Sequence, residues 1–67
     1  MAVTDVTYVL PSGNGWVVKR QNASRFTAIT DTKRQAISIA RVLARSNNLE
    51  LIVHGRNGQV EIHESFK

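Results

Sequence analysis

The fold of this chain is decided by residues 49–63, which read LELIVHGRNGQVEIH. Alternating apolar residues flank Asn57-Gly58, and this is the strongest short-range sequence signal for a β-hairpin. A two-residue type I′ turn at Asn57-Gly58 fixes the register of the two strands. The predicted cross-strand pairs are Arg56 with Gln59, His54 with Glu61, Val53 with Ile62, and Ile52 with His63.

This register assigns the hairpin side chains to two faces. The inner face, which we expect to pack under a helix, holds Leu51, Val53, Val60 and Ile62. Gly55 lies opposite Val60 on this face, where we expect either a close approach of the helix to the strand or a β-bulge. The outer face holds Glu50, Ile52, His54, Arg56, Gln59, Glu61 and His63. Imidazoles and a carboxylate are metal-ligand types, but no further ligand is evident on this face. We therefore expect a His54–Glu61 hydrogen bond across the strands and neither a metal nor a cofactor.

The residues before the hairpin predict three strands. Val3 to Leu10 is rich in β-branched and aromatic residues, and Pro11 to Gly15 has the composition of a turn. Trp16 to Arg20 is the return strand, although the pattern does not decide which face Trp16 occupies. Arg25 to Thr30 alternates polar and apolar residues, as a third strand does.

One helix follows these strands. Thr32 and Gln35 have the spacing of a capping box, and the segment from Lys33 to about Ser46 contains neither Gly nor Pro. Asn47-Asn48 is a left-handed helix stop. The sequence thus predicts one compact domain over residues 1–67, of class α+β, with a single helix packed on an antiparallel sheet in the order β-β-β-α-β-β.

Composition limits the classes of function. Nine Lys and Arg against five Asp and Glu give a formal net charge of +4, which favours a polyanionic partner such as nucleic acid. The chain has no cysteine, which excludes disulfides and cysteine-based zinc sites. No apolar run approaches the roughly 18 residues of a membrane span, and no signal-peptide pattern is present. We expect a cytoplasmic protein without a membrane partner.

The predicted helix carries an arginine stripe, which comprises Arg34, Arg41 and Arg45 with Ser38 among them. At 100° per residue these four side chains fall in a sector about 60° wide, opposite an apolar arc centred on Ala36, Ile39, Ala40 and Leu43. One interpretation is a row of phosphate contacts, assisted by Lys19, Arg20 and Arg25. Another is a solvated face. The width of the apolar arc also indicates a homodimer contact near Ile37 and Ala44, or near Val42.

Catalysis has little support in this sequence. Cysteine is absent, and no Ser-His-Asp arrangement is suggested. Gly13-Asn14-Gly15 is a turn without a following helix, so it is not a phosphate-binding loop. We expect a small basic non-enzymatic protein that binds nucleic acid through the arginine stripe. The alternative is a protein-interaction module or homodimeric small regulator that uses the apolar helix flank or an open edge of the sheet.

Three segments resemble a family of short bacterial proteins known as a domain of unknown function. They are Trp16-Val17-Val18-Lys19, Thr32-Lys33-Arg34-Gln35-Ala36 with Ala40-Arg41, and the hairpin run Leu51 to Gly58, which is the most specific. Gln35 stands where relatives commonly have an acid, and Asn57 where they commonly have Asp. The resemblance covers most of the chain from Val9 to Val60. It implies a compact sheet-plus-helix fold and implies no activity.

Overall fold

The structure is a computed structural model that describes residues 6–66. The predicted start of the first strand at Val3 therefore lies outside the described residues. Along the chain, the elements are β1 (Val6–Ser12), β2 (Gly15–Arg20), β3 (Ala28–Thr30), α1 (Lys33–Ser46), β4 (Glu50–His54) and β5 (Val60–Ser65). The domain is α+β with a single helix, as predicted, although the third strand is only three residues long.

The five strands form one mixed sheet in the spatial order β3-β2-β1-β4-β5. The prediction of an antiparallel sheet is wrong for one pair, because β1 and β4 are parallel. The spatial order also differs from the order along the chain. After β3, the chain crosses one face of the sheet as α1 and returns beside β1, and a helical crossover of this kind joins parallel strands. The first strand therefore lies at the centre of the sheet.

The helix packs on one face of the sheet through alanines. Ala36, Ala40 and Ala44 are fully buried, and their small side chains let the helix backbone approach the strands closely. The strand residues beneath them include Val9, Val18, Leu51 and Val53, all fully buried. Ile37 and Leu43 pack against this core, whereas Val42 is 65% exposed. Of the three helix residues considered for a dimer contact, only Val42 is left on the surface.

Both ends of α1 follow the sequence signals. The Gln35 amide donates to Thr32 Oγ1 over 3.2 Å, and the Thr32 amide donates to Gln35 Oε1 over 3.3 Å, which completes the predicted capping box. At the other end, Asn48 has a φ of 55°, in the left-handed region. The predicted helix stop is thus confirmed.

The β1–β2 turn is tighter than its composition indicates. Ser12 pairs directly with Gly15, so the loop consists of Gly13 and Asn14 alone, and Pro11 lies within β1. Gly13 has a φ of 58°, as the first central residue of a type II′ hairpin turn requires.

The β4–β5 turn differs from the predicted type I′ turn. Among the described residues, Asn48 is the one non-glycine residue with positive φ, so Asn57 lacks the conformation that a type I′ turn needs. The Gly58 amide instead donates to Gly55 O over 2.9 Å, and the Gly55 amide donates to Gln59 O over 2.8 Å. With Gly58 at a φ of 85°, the loop is a three-residue connection built on a type I turn.

The longer loop changes the register near the turn. His54 pairs with Val60 rather than with Glu61, and a β-bulge between Val53 and His54 then restores the predicted pairing of Val53 with Ile62. The predicted His54–Glu61 pair is therefore wrong. Val60, placed on the inner face by the sequence pattern, is 56% exposed and shares the outer face with His54.

Candidate interaction surfaces

The six cationic residues predicted to contact nucleic acid do not form one continuous surface. Arg34 and Arg45 are exposed on α1, Arg41 is half-buried there, and Arg25 is exposed between β2 and β3. Lys19 and Arg20 lie on opposite faces of the sheet, because successive strand residues alternate. Lys19 points away from the helix, so it cannot extend the arginine stripe.

Arg41 is already engaged by an acid. Its Nε donates to Glu64 Oε1 over 3.0 Å, and its Nη2 donates to Glu64 Oε2 over 3.2 Å. The hydrogen bond from Arg41 lowers the pKa of Glu64 against a smaller opposing effect of desolvation, and the charges of Arg41 and Arg45 add to the lowering. The same bond raises the pKa of Arg41. Part of the stripe's charge is therefore compensated within the fold.

The other two arginines of the stripe have different surroundings. The Arg45 guanidinium lies 5.8 Å from the centre of the Phe66 ring, at cation–π distance. Arg34 makes neither a hydrogen bond nor an ion pair with any residue in 6–66. Arg34 is thus the cation of the stripe that is most available to a ligand.

Trp16 belongs to the core beneath the helix, which settles the face that the sequence left undecided. Its side chain is only 6% exposed, and two cations lie over its ring, with Arg56 at 4.8 Å and Lys33 at 5.4 Å from the ring centre. Arg56 also donates to Gly13 O over 2.8 Å and to Gly15 O over 3.4 Å. Arg56 therefore joins the two hairpin turns.

The role of Arg56 was missed at the level of sequence because it depends on the parallel pairing. Parallel strands end at the same edge of a sheet, so the turns after β1 and β4 lie next to each other. The sequence signal that could have indicated this role is the pair of glycine-containing turns. Glycine has no side chain to cover the backbone carbonyls that accept hydrogen bonds from Arg56. This cluster explains Trp16 and Arg56 as structural residues.

The histidines of the outer hairpin face have separate partners. His63 Nε2 lies 2.9 Å from Glu50 Oε1, and His54 Nδ1 lies 3.2 Å from Gly58 O. Glu61 is on the helix side of the hairpin, where it forms an ion pair with Lys33. Within the described residues, no three His, Asp or Glu side chains are grouped closely enough to hold a metal ion.

The face of the sheet opposite α1, hereafter the open face, carries both apolar and polar residues. Its apolar members are Val6, Tyr8, Leu10, Val17, Ile29, Ile52 and Val60, and its polar members are Ser12, Lys19, Glu50, His54, His63 and Ser65. Ile29 is 75% exposed and lies on an edge strand. The helix α1 packs on the other side. On the open face Val6 and Val17 are buried, Tyr8, Leu10 and Ile52 are half-buried, and Val60 is exposed like Ile29.

A groove runs between the edge strand and the helix. This β3–α1 groove has a volume of about 580 Å³ and is lined by Ile29, Thr30, Asp31, Arg34, Gln35, Ser38 and Ile39. A smaller groove of about 390 Å³ lies on the opposite flank of the helix, beside Lys33, Arg41 and Ile62. Arg34 and Ser38 stand between the two grooves.

Comparison with known proteins identifies a matching family whose description assigns no activity. Residues 7–66 match the family described as "Uncharacterized protein conserved in bacteria (DUF2188)". The chain is also 39% identical over 54 residues to "Uncharacterized protein YdaT" of Bacillus subtilis (strain 168). The match covers 81% of this chain and 36% of that relative, so the chain spans about a third of the relative's length. No solved structure matches the chain. In residues 6–66, no helix has the length and apolar character needed to cross a membrane.

Proposed function

The chain belongs to this bacterial family, DUF2188, and we propose that it is a non-enzymatic protein-interaction module that acts in the cytoplasm. In this proposal the open face packs against the open face of a second copy of the chain. The observation that carries the proposal is the set of half-buried and exposed apolar side chains on this face, which are Tyr8, Leu10, Ile29, Ile52 and Val60.

The strand sequences support a partner on this face. A sheet with one face in water normally has strands that alternate apolar and polar residues, whereas strands covered on both faces read as continuous apolar runs. Here β2 begins Trp16-Val17-Val18, and β4 contains Leu51-Ile52-Val53. In each run the middle residue faces away from the helix. Val17 is already buried within the chain, whereas Ile52 is half-buried, so burial of Ile52 by a partner explains the second run.

The area of the open face indicates a weak dimer. Five strands at about 4.8 Å spacing and about 5 residues long give a face of roughly 24 by 17 Å, or about 400 Å². Two such faces remove about 800 Å² in flat projection, which is below the roughly 1,200 Å² of standard interfaces and typical of transient ones. We therefore expect a dissociation constant on the order of 10 μM.

The charges of the open face favour a second copy over an unrelated apolar partner. Lys19 lies on β2 and Glu50 on β4, on either side of the central strand β1. A two-fold axis parallel to β1 exchanges these two sides, so Lys19 of each copy faces the side of the other copy that carries Glu50, which also contacts His63 of its own chain. Such self-complementarity is what an isologous interface requires.

Sedimentation velocity between about 1 and 300 μM tests this proposal, given a dissociation constant on the order of 10 μM. We expect the weight-average sedimentation coefficient of the wild-type chain to rise from the monomer to the dimer value. Leu10→Lys places a charge in the middle of the open face and should leave a monomer. Val42→Lys is the matched control, since it places the same charge on the exposed side of the helix. A wild-type chain that stays monomeric throughout, or equal effects of the two substitutions, contradicts the proposal.

Nucleic-acid binding is a second candidate, supported by the exposed guanidinium groups of Arg34 and Arg45 and by the net charge of +4. Arg25 is the third exposed arginine of the predicted set. Three phosphate contacts predict that log affinity falls with log salt at a slope of about −3 on duplex DNA. Fluorescence anisotropy on duplex DNA, single strands and RNA measures this slope. The candidate fails if no binding occurs at low salt, or if an Arg34/Arg41/Arg45 triple Ala variant binds equally well.

A further inference from the structure

We propose that the β3–α1 groove binds an extended peptide segment of a partner protein, which adds as a further strand to β3 and places one acidic side chain on Arg34. The dimer uses the open face and does not require Arg34, so this inference does not rest on self-association. It concerns the outer edge of β3 and the flank of α1 beside it, a surface that shares Ile29 with the open face.

The strand β3 is available for pairing. It lies at one edge of the sheet, and within residues 6–66 its outer side pairs with no other strand. An exposed edge presents unpaired backbone N–H and C=O groups, and extended peptides bind such edges through main-chain hydrogen bonds. The helix α1 runs beside this edge and supplies the second wall of the groove.

The groove has the size and surface that a peptide segment needs. It is a shallow groove, open to solvent, with a volume of about 580 Å³, which suits a peptide lying along the surface. Ile29 on the strand and Ile39 on the helix, which are 75% and 38% exposed, provide apolar surface on the two walls. Gln35 and Ser38 add hydrogen-bonding groups between them.

The charges of the groove select a single carboxylate. Arg34 has no ion-pair or hydrogen-bond partner in the described part of the chain, and an Arg–carboxylate pair forms two parallel hydrogen bonds. Asp31 lines the same groove and disfavours a ligand of high negative charge density. One acidic side chain among apolar residues fits this arrangement better than a nucleic-acid backbone does.

The smaller groove on the other flank of α1 is a weaker candidate for such a ligand. Two of its cations are already paired, Lys33 with Glu61 and Arg41 with Glu64. A carboxylate there has to compete with acids of the chain itself. Arg34 lines both grooves, so the unpaired edge of β3 is what favours the β3–α1 groove.

Selection of random dodecapeptides displayed on phage against the full chain tests the inference. We expect enriched sequences that place one Asp or Glu among β-branched residues. The strongest binder is then synthesised together with two matched peptides, one with the acid changed to its amide and one with alternate backbone amides N-methylated. Fluorescence polarisation should show at least tenfold weaker binding for each matched peptide, because the first loses the charge on Arg34 and the second loses strand pairing.

Two variants of the protein complete the test. Arg34→Gln should weaken binding of the selected peptide at least tenfold, whereas Arg45→Gln, which changes an arginine outside the groove, should alter it less than twofold. Arg34→Gln should also leave the sedimentation behaviour unchanged, which separates this surface from the open face. Absence of enriched acidic peptides, equal binding by Arg34→Gln, or tolerance of N-methylation overturns the inference.

Discussion

Replacing Thr7 by Val should stabilise the fold. Thr7 lies on β1 on the helix side of the sheet, where it pairs with Arg20 and Leu51. Its side chain is completely buried, and its Oγ1 has no hydrogen-bond partner among the described residues. Valine has nearly the same shape, so the substitution removes a buried, unpaired hydroxyl without opening a cavity.

The magnitude follows from the cost of that hydroxyl. Burial of an unpaired hydroxyl costs about 1–3 kcal/mol, so Thr7→Val should raise the free energy of unfolding by about 1–2 kcal/mol. At roughly 2.1 cal/mol/K per residue, 67 residues have an unfolding entropy of about 140 cal/mol/K. Each kcal/mol therefore corresponds to about 7 °C, and Tm should rise by about 7–14 °C.

Thermal unfolding followed by circular dichroism and a urea titration at pH 7 measure this change. Both should be run at about 1 μM, which is well below the expected dissociation constant of the dimer, on the order of 10 μM. Thr27→Val is the control, because Thr27 is exposed and its substitution should change the free energy of unfolding by less than about 0.5 kcal/mol. If Thr7→Val leaves Tm unchanged or lowers it, the hydroxyl is hydrogen-bonded in the folded protein and the argument from its burial is refuted.

Substitutions at three further positions test the contacts that hold the surfaces in place. Arg56→Ala should lower the free energy of unfolding by about 1–2 kcal/mol, because it removes the cation–π contact and the two carbonyl hydrogen bonds. Arg56→Lys should restore only part of this free energy. Equal stability of wild type and both variants in urea contradicts this role. Arg41→Gln should lower Tm at pH 7. The pKa of Glu64 is lowered in the folded state from its ordinary 4.5. The stability that Glu64 contributes is therefore fully present above pH 4.5 and is lost as the pH falls through the pKa of the folded state. The Tm difference between wild type and Arg41→Gln should therefore shrink as melts are run at successively lower pH below 4.5, and a difference that stays constant with pH contradicts this role. Gly15→Ala places a Cβ 2.5 Å from Thr30 O, so the substitution should displace β3 and weaken peptide binding in the groove. Unchanged NMR amide shifts along β3 refute this expectation.

Local features of the fold were predictable because they depend on neighbouring residues. The capping box of Thr32 and Gln35 and the left-handed Asn48 need only a few residues of chain, and the structure has both. The Asn57-Gly58 turn shows the limit of such signals. Gly58 suits a type I′ turn and a type I turn with a following bulge equally well, so the sequence predicted the hairpin but not the loop length.

Features that depend on distant pairing were not predictable from the pattern. The parallel contact of β1 with β4 follows from the path of the helical crossover. An apolar run in the sequence does not indicate which other strand will pair with it. Engagement of Arg41 by Glu64 depends on where α1 lies over β5, since the two residues are 23 positions apart in the sequence. The arginine stripe was therefore predicted correctly in its helical position, whereas the acid that partly compensates it was missed.

The central claim is that the open face is the contact surface between two copies of the chain. Isotope-filtered NOE spectra of an equimolar mixture of ¹³C-labelled and unlabelled chain test it directly, at a concentration well above the expected dissociation constant. The account predicts intermolecular cross-peaks from Tyr8, Leu10 and Ile52. Cross-peaks confined to helix residues such as Val42, or no intermolecular cross-peaks at all, contradict it.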